Sequence, residues 1–269
     1  MRDRGGPTAA KLVDNSERRG LNASSVERSR TRTIQSFIIE HVDDDPRGIA
    51  RRVAQAYGIS RQAANRHLDS LVDAGVLDQA GQTRARAYAL RRMAAVSREL
   101  RVTPVLNPGR VWDDHVLPIL AGDRSMLRET CRGFFTEVVE NAVTHAGASW
   151  ISFDLVTTAR EVDVSIRDDG RGILASLVDK LKAATPRAAA ETFMEQAHAR
   201  STDGAGTTLI LLARGLDMFT IASHGWACEF DRASDSWAIV PSDVDAGTRV
   251  TCRLHRTTQR ERSHIRPRR

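Results

Sequence analysis

An aspartate followed by two glycines marks the segment of this sequence whose chemistry is clearest. Asp168 ends the alternating run EVDVSIRD, which predicts a β-strand, and Gly170 and Gly172 follow it. A carboxylate at a strand end can accept a hydrogen bond from an adenine amino group, and glycines let the backbone come close to the ring. The segment therefore predicts a contact with the base of a nucleotide, with Ile173 beside it.

A second glycine-containing segment, STDGAGTTLILLARGLD, could bind phosphate. Gly204 and Gly206 directly precede an apolar run that predicts a helix, with Thr207 at its start. The free amide groups and the dipole of a helix N-terminus favour the oxygens of a triphosphate. The two segments together could therefore bind the base and the phosphates of one nucleotide.

Three polar residues, Glu137, Asn141 and His145, recur at intervals of four in MLRETCRGFFTEVVENAVTHA. This segment predicts a helix whose polar residues lie along the edge of an apolar stripe. The stripe consists of Leu127, Cys131, Phe134, Val138 and Ala142. Two predicted strands, WISFDLVT and EVDVSIRD, follow and provide the sheet on which the stripe would pack. The neighbouring polar edge is then free for chemistry.

In this order, the helix and the two glycine segments resemble the N, G1 and G2 boxes of the Bergerat-type (GHKL) ATPases. That superfamily includes DNA gyrase B subunits, heat-shock chaperone ATPases, sensor histidine kinases, anti-sigma serine kinases and MutL repair proteins. The run AGTRVTCRL resembles its final strand. The resemblance covers about half of the chain and implies an α/β sandwich, a mixed sheet with helices on one face, that binds ATP with Mg²⁺.

The resemblance also implies roles for individual residues. Asp168 would bind adenine, and Thr248 in the final strand would support that aspartate. Asn141 would coordinate the Mg²⁺ that bridges the phosphates. Glu137 occupies the position that serves as general base in hydrolytic and serine-kinase members. His145 could face the phosphates or be a structural histidine at the helix end.

Two segments bear on how the phosphates would be held. Thr208 stands where many kinases of the superfamily have the last glycine of the G2 box. The segment between the boxes, residues 174–203, would be the ATP lid, and its high alanine content predicts helix. Lys180 and Lys182 are candidate phosphate contacts within it.

The block of residues 33–90 predicts three short helices followed by a β-hairpin. Pro46 breaks the chain after the first helix, and Gly58 ends the second. Ser60 is a suitable N-cap for the third helix, which Gly75 ends. This plan resembles the winged helix-turn-helix family, and YGISRQAANRHLDSLVDAGVL resembles its turn and recognition helix.

The open face of the third predicted helix carries side chains suited to double-stranded DNA. Arginine can form two hydrogen bonds with guanine, and asparagine or glutamine can do so with adenine. In the winged helix-turn-helix family such residues enter the major groove. The candidates are Arg61, Gln62, Asn65 and Arg66, with Arg84 and Arg86 on the predicted wing strand for phosphates. The alternative is a polar face that docks a protein.

Composition restricts the setting in which the chain works. The net charge of +6 favours polyanionic partners. Cys131, Cys228 and Cys252 are not spaced as zinc ligands and are expected to be buried thiols. The sequence contains neither a membrane-spanning apolar run nor the apolar core of a signal peptide, so we expect a cytoplasmic protein that does not enter a membrane.

These segments predict an α+β chain of five parts. Residues 1–30 and 257–269 are expected to be disordered tails, because they are arginine-rich and lack apolar periodicity. Residues 31–90 would form the winged helix-turn-helix domain, 91–122 a linker, and 123–256 the histidine-kinase-like ATP-binding domain.

The leading functional hypothesis is an ATP-binding bacterial transcription regulator that responds to nucleotide. One alternative is a serine/threonine protein kinase of the anti-sigma type, in which Glu137 would deprotonate a hydroxyl of a protein partner. A sensor-type histidine kinase is a weaker alternative, because the sequence lacks a convincing phosphoacceptor segment. The sequence leaves open whether the chain forms a homodimer and whether ATP is hydrolysed, transferred or only sensed.

Overall fold

The computed structural model of this protein describes residues 10–198 and 207–256. The chain divides into two compact units, Met1–Arg91 and Arg92–Arg269. Each unit has a hydrophobic core of its own. Within the described residues, no helix combines the length and the apolar character that crossing a membrane requires.

The first unit contains three helices followed by a two-stranded antiparallel sheet. These elements are α1 (Ala10–His41), α2 (Ile49–Tyr57), α3 (Arg61–Asp73), β1 (Leu77–Ala80) and β2 (Ala87–Leu90). Leu77 of β1 lies opposite Leu90 of β2. The core that joins helices and strands consists of Ile34, Ile38, Val42, Ile49, Val53, Ala64, Leu68, Leu71, Leu77 and Tyr88.

Local chemistry sets the boundary between α2 and α3. Gly58 adopts a φ of +61°, a left-handed conformation that ends α2 and that glycine adopts without steric cost. Ser60 Oγ accepts a hydrogen bond of 3.1 Å from the backbone N–H of Ala63 and so caps α3. The predicted glycine stop and serine cap are both confirmed.

The expectation of a disordered tail over residues 1–30 is wrong for most of that segment, because α1 begins at Ala10. No proline interrupts the chain between Pro7 and Pro46. Once the apolar residues of its C-terminal part are packed, a helix can extend through polar residues of adequate propensity. Apolar periodicity reports packing, and its absence did not exclude helix. The predicted tail of residues 257–269 lies outside the described residues.

The second unit is built on a seven-stranded sheet. Its strands are β3 (Ala94–Arg101), β4 (Trp150–Thr157), β5 (Glu161–Asp168), β6 (Met218–Ser223), β7 (Trp226–Asp231), β8 (Ser236–Pro241) and β9 (Thr248–His255). The strand order is β3-β4-β5-β9-β6-β7-β8, and every pairing is antiparallel. The predicted mixed sheet is therefore wrong in strand direction. The alternating burial of β4, β5 and β9 is typical of an antiparallel sheet that packs one face on a core.

The second unit contains the helices predicted for the N box, the lid and the G2 box, and two further short helices in the predicted linker. They are α4 (Pro108–Val111), α5 (Leu117–Leu120), α6 (Ser125–Thr144), α7 (Ile173–Leu181), α8 (Pro186–His198) and α9 (Thr207–Ala213), with a π-helical turn at Trp112–Val116. The predicted apolar stripe of α6 is buried, which confirms its orientation. Phe135 and Val139 are buried as well, because α6 contacts α4 and the π-helical turn in addition to the sheet.

The segment predicted as a linker, residues 91–122, belongs to the second unit from residue 92 onward. β3 pairs with β4 along its whole length and forms an edge of the sheet. Trp112 is buried against Phe135, with ring centroids 5.8 Å apart. The segment contains three prolines, which favour a linker in the sequence, but Pro108 and Pro118 occupy first-turn positions of α4 and α5, where a missing N–H costs nothing.

The three cysteines are free and buried, as predicted. Burial raises the pKa of Cys131 and of Cys228 to about 12, so both thiols are protonated at neutral pH. In the part of the chain that the structure describes, no group of three or more histidine, cysteine, aspartate and glutamate side chains is arranged to hold a metal ion.

A charge cluster stabilises the end of the sheet at the start of β5. Glu161 is buried, and its carboxylate accepts hydrogen bonds from Arg160 Nε at 3.0 Å and from His255 Nε2 at 3.3 Å. Arg253 Nε lies 3.6 Å from the same carboxylate. Burial alone would raise the pKa of Glu161, but the hydrogen bonds and charges of these three partners outweigh it and lower the pKa to about 2.

Glu161→Gln is expected to lower the free energy of unfolding of the second unit by about 3 kcal/mol at pH 7, because the partners lose their counter-charge. The lowered pKa means that this stabilisation is fully present above the ordinary glutamate pKa and is lost as the pH falls toward 2. Urea unfolding at pH 7 and at pH 3 measures both effects. Glu229→Gln, at an exposed position of β7, is the matched control and should change little. An equal loss in the two variants would contradict the prediction.

Candidate functional site

A cavity of about 320 Å³ opens in the second unit between α6, α7, the start of α9 and the sheet. Its size falls within the range of small-molecule sites. Much of its lining consists of the residues that the sequence predicts, namely Glu137, Asn141, His145, Asp168, Gly172, Ile173 and Thr248. Residues that are far apart in the sequence therefore form one cavity.

Asp168 lies at the floor of this cavity, at the end of β5. It is only 8% exposed, and its Oδ1 accepts a hydrogen bond of 2.9 Å from the Gly170 backbone N–H. Burial raises the pKa of Asp168 above its ordinary value, although hydrogen bonds from Gly170 and Thr248 oppose this effect. A buried carboxylate is costly unless it has donors, so this group is suited to a ligand that brings a hydrogen-bond donor.

Thr248 reaches Asp168 through the pairing of β5 with β9, in which the two residues lie directly opposite each other. Thr248 Oγ1 also accepts a hydrogen bond of 3.1 Å from the backbone N–H of Ile173. One threonine side chain thus connects the aspartate to the first residue of α7. This contact fixes the start of α7 at the aspartate end of the cavity.

The two glycines after Asp168 are required by contacts within the protein. Gly172 has a φ of +82°, and a Cβ on it would lie 2.4 Å from Ser223 Oγ. A Cβ on Gly170 would lie 2.5 Å from the carbonyl oxygen of Ala146. Gly172 lines the cavity, whereas Gly170 is not among its lining residues. The sequence predicts that these glycines let the backbone come close to the nucleotide base. In the structure, both glycines also let the backbone come close to other protein atoms.

Glu137 and Asn141 project from the polar edge of α6 into the cavity. Asn141 Nδ2 donates a hydrogen bond of 3.3 Å to Glu137 Oε1. Because this bond uses the amide nitrogen, Oδ1 is the atom of Asn141 that can bind a cation. Both side chains are half-buried. His145 follows at the C-terminal cap of α6, where its exposed side chain also lines the cavity.

The second predicted glycine segment is described only in part. Gly204 and Gly206 lie outside the described residues, and α9 begins at Thr207. Thr208, which stands in place of a glycine in the resemblance, lines the cavity. A hydroxyl is therefore present at the position where the sequence departs from the pattern of many kinases.

Sequence reasoning did not assign Ser176, Leu177, Ile221 and Val250 to the site, although all four line the cavity. Ser176 and Leu177 follow Ile173 at three and four residues, so helical spacing from a predicted site residue was the signal that could have found them. Ile221 and Val250 come from β6 and β9, and only the strand order brings them here.

The described part of the predicted ATP lid, residues 174–198, consists mainly of α7 and α8, as expected, and α8 is anchored to the sheet. Phe193 of α8 packs edge to face on Trp237 of β8, with ring centroids 5.8 Å apart. Arg187 at the start of α8 lies over the Trp226 ring at 4.7 Å. Lys180 lines the cavity, whereas Lys182 is exposed at the C-terminal cap of α7 and is not among the lining residues.

Five of the six predicted DNA-contacting residues of the first unit fall into two groups. Arg61, Asn65 and Arg86 line a cleft of about 730 Å³ together with Arg47, Arg51 and Thr83. Gln62 and Arg66 are exposed on α3 but do not line that cleft.

Arg84 and Arg86 do not lie on a strand, contrary to the prediction. Residues Thr83–Ala85 form a 3-10 turn, and β2 begins at Ala87. Thr83 has a φ of +49°, a left-handed conformation that is incompatible with an extended strand at this point. Arg86 is instead held by Asp69 at 3.4 Å and by the Tyr88 hydroxyl at 3.2 Å.

An antiparallel sheet packed with helices, together with a cavity that holds a buried aspartate at a strand end and an asparagine on a helix, is consistent with an ATP-binding domain of the Bergerat type. Residues 128–258 match the family model of the histidine kinase-, DNA gyrase B- and HSP90-like ATPases. The second unit thus carries a GHKL-type ATPase domain, which indicates ATP binding. The match begins after β3, α4 and α5, so these elements precede the matched segment. No curated protein shows significant similarity to the chain.

Proposed function

We propose that this protein is a cytoplasmic, nucleotide-responsive transcription regulator, in which the second unit binds ATP with Mg²⁺ and the first unit binds double-stranded DNA. Asp168 accepts the adenine amino group, and Thr248 holds Asp168 in place. Asn141 holds Mg²⁺ through Oδ1, and that ion, when bound, neutralises phosphate charge. The cavity that unites these side chains supports the nucleotide part of the proposal.

The cationic cleft of the first unit is the observation that favours DNA. Arg47 lies two residues before α2, Arg51 lies in the first turn of α2, and Arg61 begins α3. These three arginines line one cleft with Arg86, and Asp45 is the acid in its lining. No described residue pairs with Arg47 or Arg61, and Arg51 is 3.9 Å from its nearest carboxylate, on Asp45. Helix N-termini add amide donors for phosphate. Such a cleft is suited to the DNA backbone.

The order of elements in the first unit supports the same proposal. A third helix that follows a short turn, and a hairpin after it, is the winged helix-turn-helix plan. In that plan Gln62 and Arg66, which lie outside the cleft, remain available for base edges in the major groove. Arg86 also lines the cleft, where Asp69 and the Tyr88 hydroxyl hold its guanidinium group.

Replacing both Arg47 and Arg51 with alanine should weaken binding to all DNA sequences and reduce the slope of log affinity against log salt by about 2, since each lost phosphate contact is worth about 0.9. Gln62→Ala with Arg66→Ala, the two residues outside the cleft, should reduce sequence preference instead. Fluorescence anisotropy at several salt concentrations measures both effects.

The matched control for the DNA prediction is Arg91→Ala, because Arg91 is paired with Asp78 at 2.7 Å and does not line the cleft. Selection from genomic fragments should recover a preferred sequence with the wild-type protein. If none is recovered, the first unit binds a protein instead. If the affinity for DNA is the same with and without saturating ATP, the proposal that ATP binding controls DNA binding is wrong.

One observation favours a serine/threonine protein kinase of the anti-sigma type as a second candidate. Glu137 is half-buried in the cavity and is hydrogen-bonded to Asn141, so its carboxylate is placed beside the group that would hold Mg²⁺. A general base at this position could deprotonate a hydroxyl of a protein substrate. Transfer of labelled phosphate to a partner protein distinguishes this candidate from the regulator.

A further inference from the structure

Lys180 supplies positive charge to a cavity that otherwise contains acidic side chains. Among the described residues that line the cavity it is the only lysine or arginine, and Glu137 and Asp168 are the acids. A nucleoside triphosphate carries several negative charges into such a site. Mg²⁺ and helix amides offset part of this charge, and a lysine ammonium can offset more.

Helical geometry places Lys180 at the end of the cavity away from Asp168. Ile173, Ser176 and Lys180 lie on one face of α7, and all three line the cavity. Ile173 is tied to Thr248 beside Asp168, so the helix starts at the base-binding end. Seven residues of helical rise carry Lys180 about 10 Å further along.

Helix α6, which also lines the cavity, leads away from Asp168 when it is followed from its C-terminal end toward its N-terminal end. Gly170, two residues after Asp168, packs against Ala146 just beyond the end of α6. Glu137 therefore lies about 12 Å along α6 from the residues that adjoin the aspartate loop. Glu137 and Asn141 on α6 and Lys180 on α7 thus all lie away from Asp168. In the proposed complex this is the end of the cavity that receives the phosphates.

The neighbours of Lys180 leave its charge uncompensated. Asp179, the adjacent acid on α7, is ion-paired with Arg171. No described residue forms an ion pair or a side-chain hydrogen bond with Lys180, which is exposed at the rim of the cavity. An ammonium group held at a cavity rim without a partner is available to an anionic ligand.

We infer that Lys180 binds the terminal phosphates of the nucleotide and determines the preference of the site for nucleoside di- and triphosphates over monophosphates. The inference rests on the proposed binding of ATP in this cavity. Lys182, two residues further on, does not line the cavity and takes no part.

The test compares the affinities of ATP, ADP, AMP and adenosine for the full-length protein, with Mg²⁺, by isothermal titration calorimetry. Lys180→Gln should raise the Kd of ATP about tenfold, the usual worth of a charged hydrogen bond, and should leave the Kd of adenosine within about twofold. Lys180→Arg should restore most of the ATP affinity. Lys182→Gln, which removes the same charge outside the cavity, should match the wild-type protein for all four ligands.

The outcomes separate this inference from the function on which it rests. Equal ATP affinity in Lys180→Gln and the wild type would overturn the inference and leave ATP binding intact. An equal loss for ATP and adenosine would also overturn it, since that pattern indicates a change in the shape of the site. A wild-type protein that binds none of the four ligands would overturn the proposed function and the inference together.

Discussion

Asp168→Asn is expected to weaken ATP binding by roughly 10- to 100-fold. The buried carboxylate is the acceptor for the adenine amino group in the proposed complex, and it already receives hydrogen bonds from Gly170 and Thr248. An asparagine of nearly the same shape can present an NH₂ group where an acceptor is needed. The adenine amino group and the new side-chain NH₂ group, both donors, are then left without acceptors at a buried position of the cavity. Isothermal titration with ATP measures the loss.

Asp169→Asn is the matched control for this prediction. Asp169 is adjacent in sequence, but its Oδ1 accepts hydrogen bonds from the backbone N–H groups of Ser149 and Trp150 at 2.7 and 2.9 Å, outside the cavity. ATP affinity should therefore be unchanged in this variant.

Stability provides a second readout for Asp168→Asn. Because burial raises the pKa of Asp168, its charged form is disfavoured in the folded state, and a neutral replacement should not lower the free energy of unfolding. Thermal unfolding without ligand measures this. Loss of ATP binding together with a large loss of stability would indicate a structural role, and wild-type affinity would remove Asp168 from the site.

Glu137→Gln is expected to preserve ATP binding and to lower ATP turnover or protein phosphorylation by roughly 10² to 10⁴, the usual worth of a positioned general base. Glutamine keeps an Oε1 atom that can accept the hydrogen bond from Asn141 Nδ2, so the geometry of the pair is retained while the base is lost. Single-turnover phosphate release at matched nucleotide occupancy measures the effect.

Glu140→Gln serves as the control for Glu137→Gln. Glu140 is on the same helix but is exposed and does not line the cavity, so its replacement should leave turnover unchanged. Equal rates in Glu137→Gln and the wild type would remove Glu137 from the mechanism. Absence of turnover in the wild type itself would favour a nucleotide-sensing switch over an enzyme.

The parts of the fold that the sequence predicts well are those that local pattern determines. β4 and β5 have the predicted limits, because each is an alternating run closed by a turn. The polar edge of α6 likewise follows from helical spacing, which is why Glu137 and Asn141 line the cavity as expected. Local pattern was sufficient at these positions because one face of each element is buried.

Other features depend on contacts between distant segments and could not be obtained in this way. Thr248 lies 80 residues beyond Asp168, and only the pairing of β9 with β5 brings the two together. The resemblance identified Thr248, whereas spacing did not. β3 was not predicted from the sequence. As an edge strand it has no fully buried residue, so its alternation of apolar and polar residues is weak. Its pairing with β4 depends on residues that lie 49 to 63 positions away in the sequence, from Arg101 with Trp150 to Ala94 with Thr157.

The position of β9 has a consequence for how the second unit folds during synthesis. β9 is the last strand of the described chain, yet it lies between β5 and β6 and joins the two halves of the sheet. A nascent chain therefore exposes two unpaired strand edges until residue 255 has left the ribosome, and such edges favour aggregation. Thr248 arrives with the same strand, so nucleotide binding would report that synthesis has passed this point. Stalled ribosome complexes that carry C-terminal extensions of increasing length should gain ATP binding as β9 emerges.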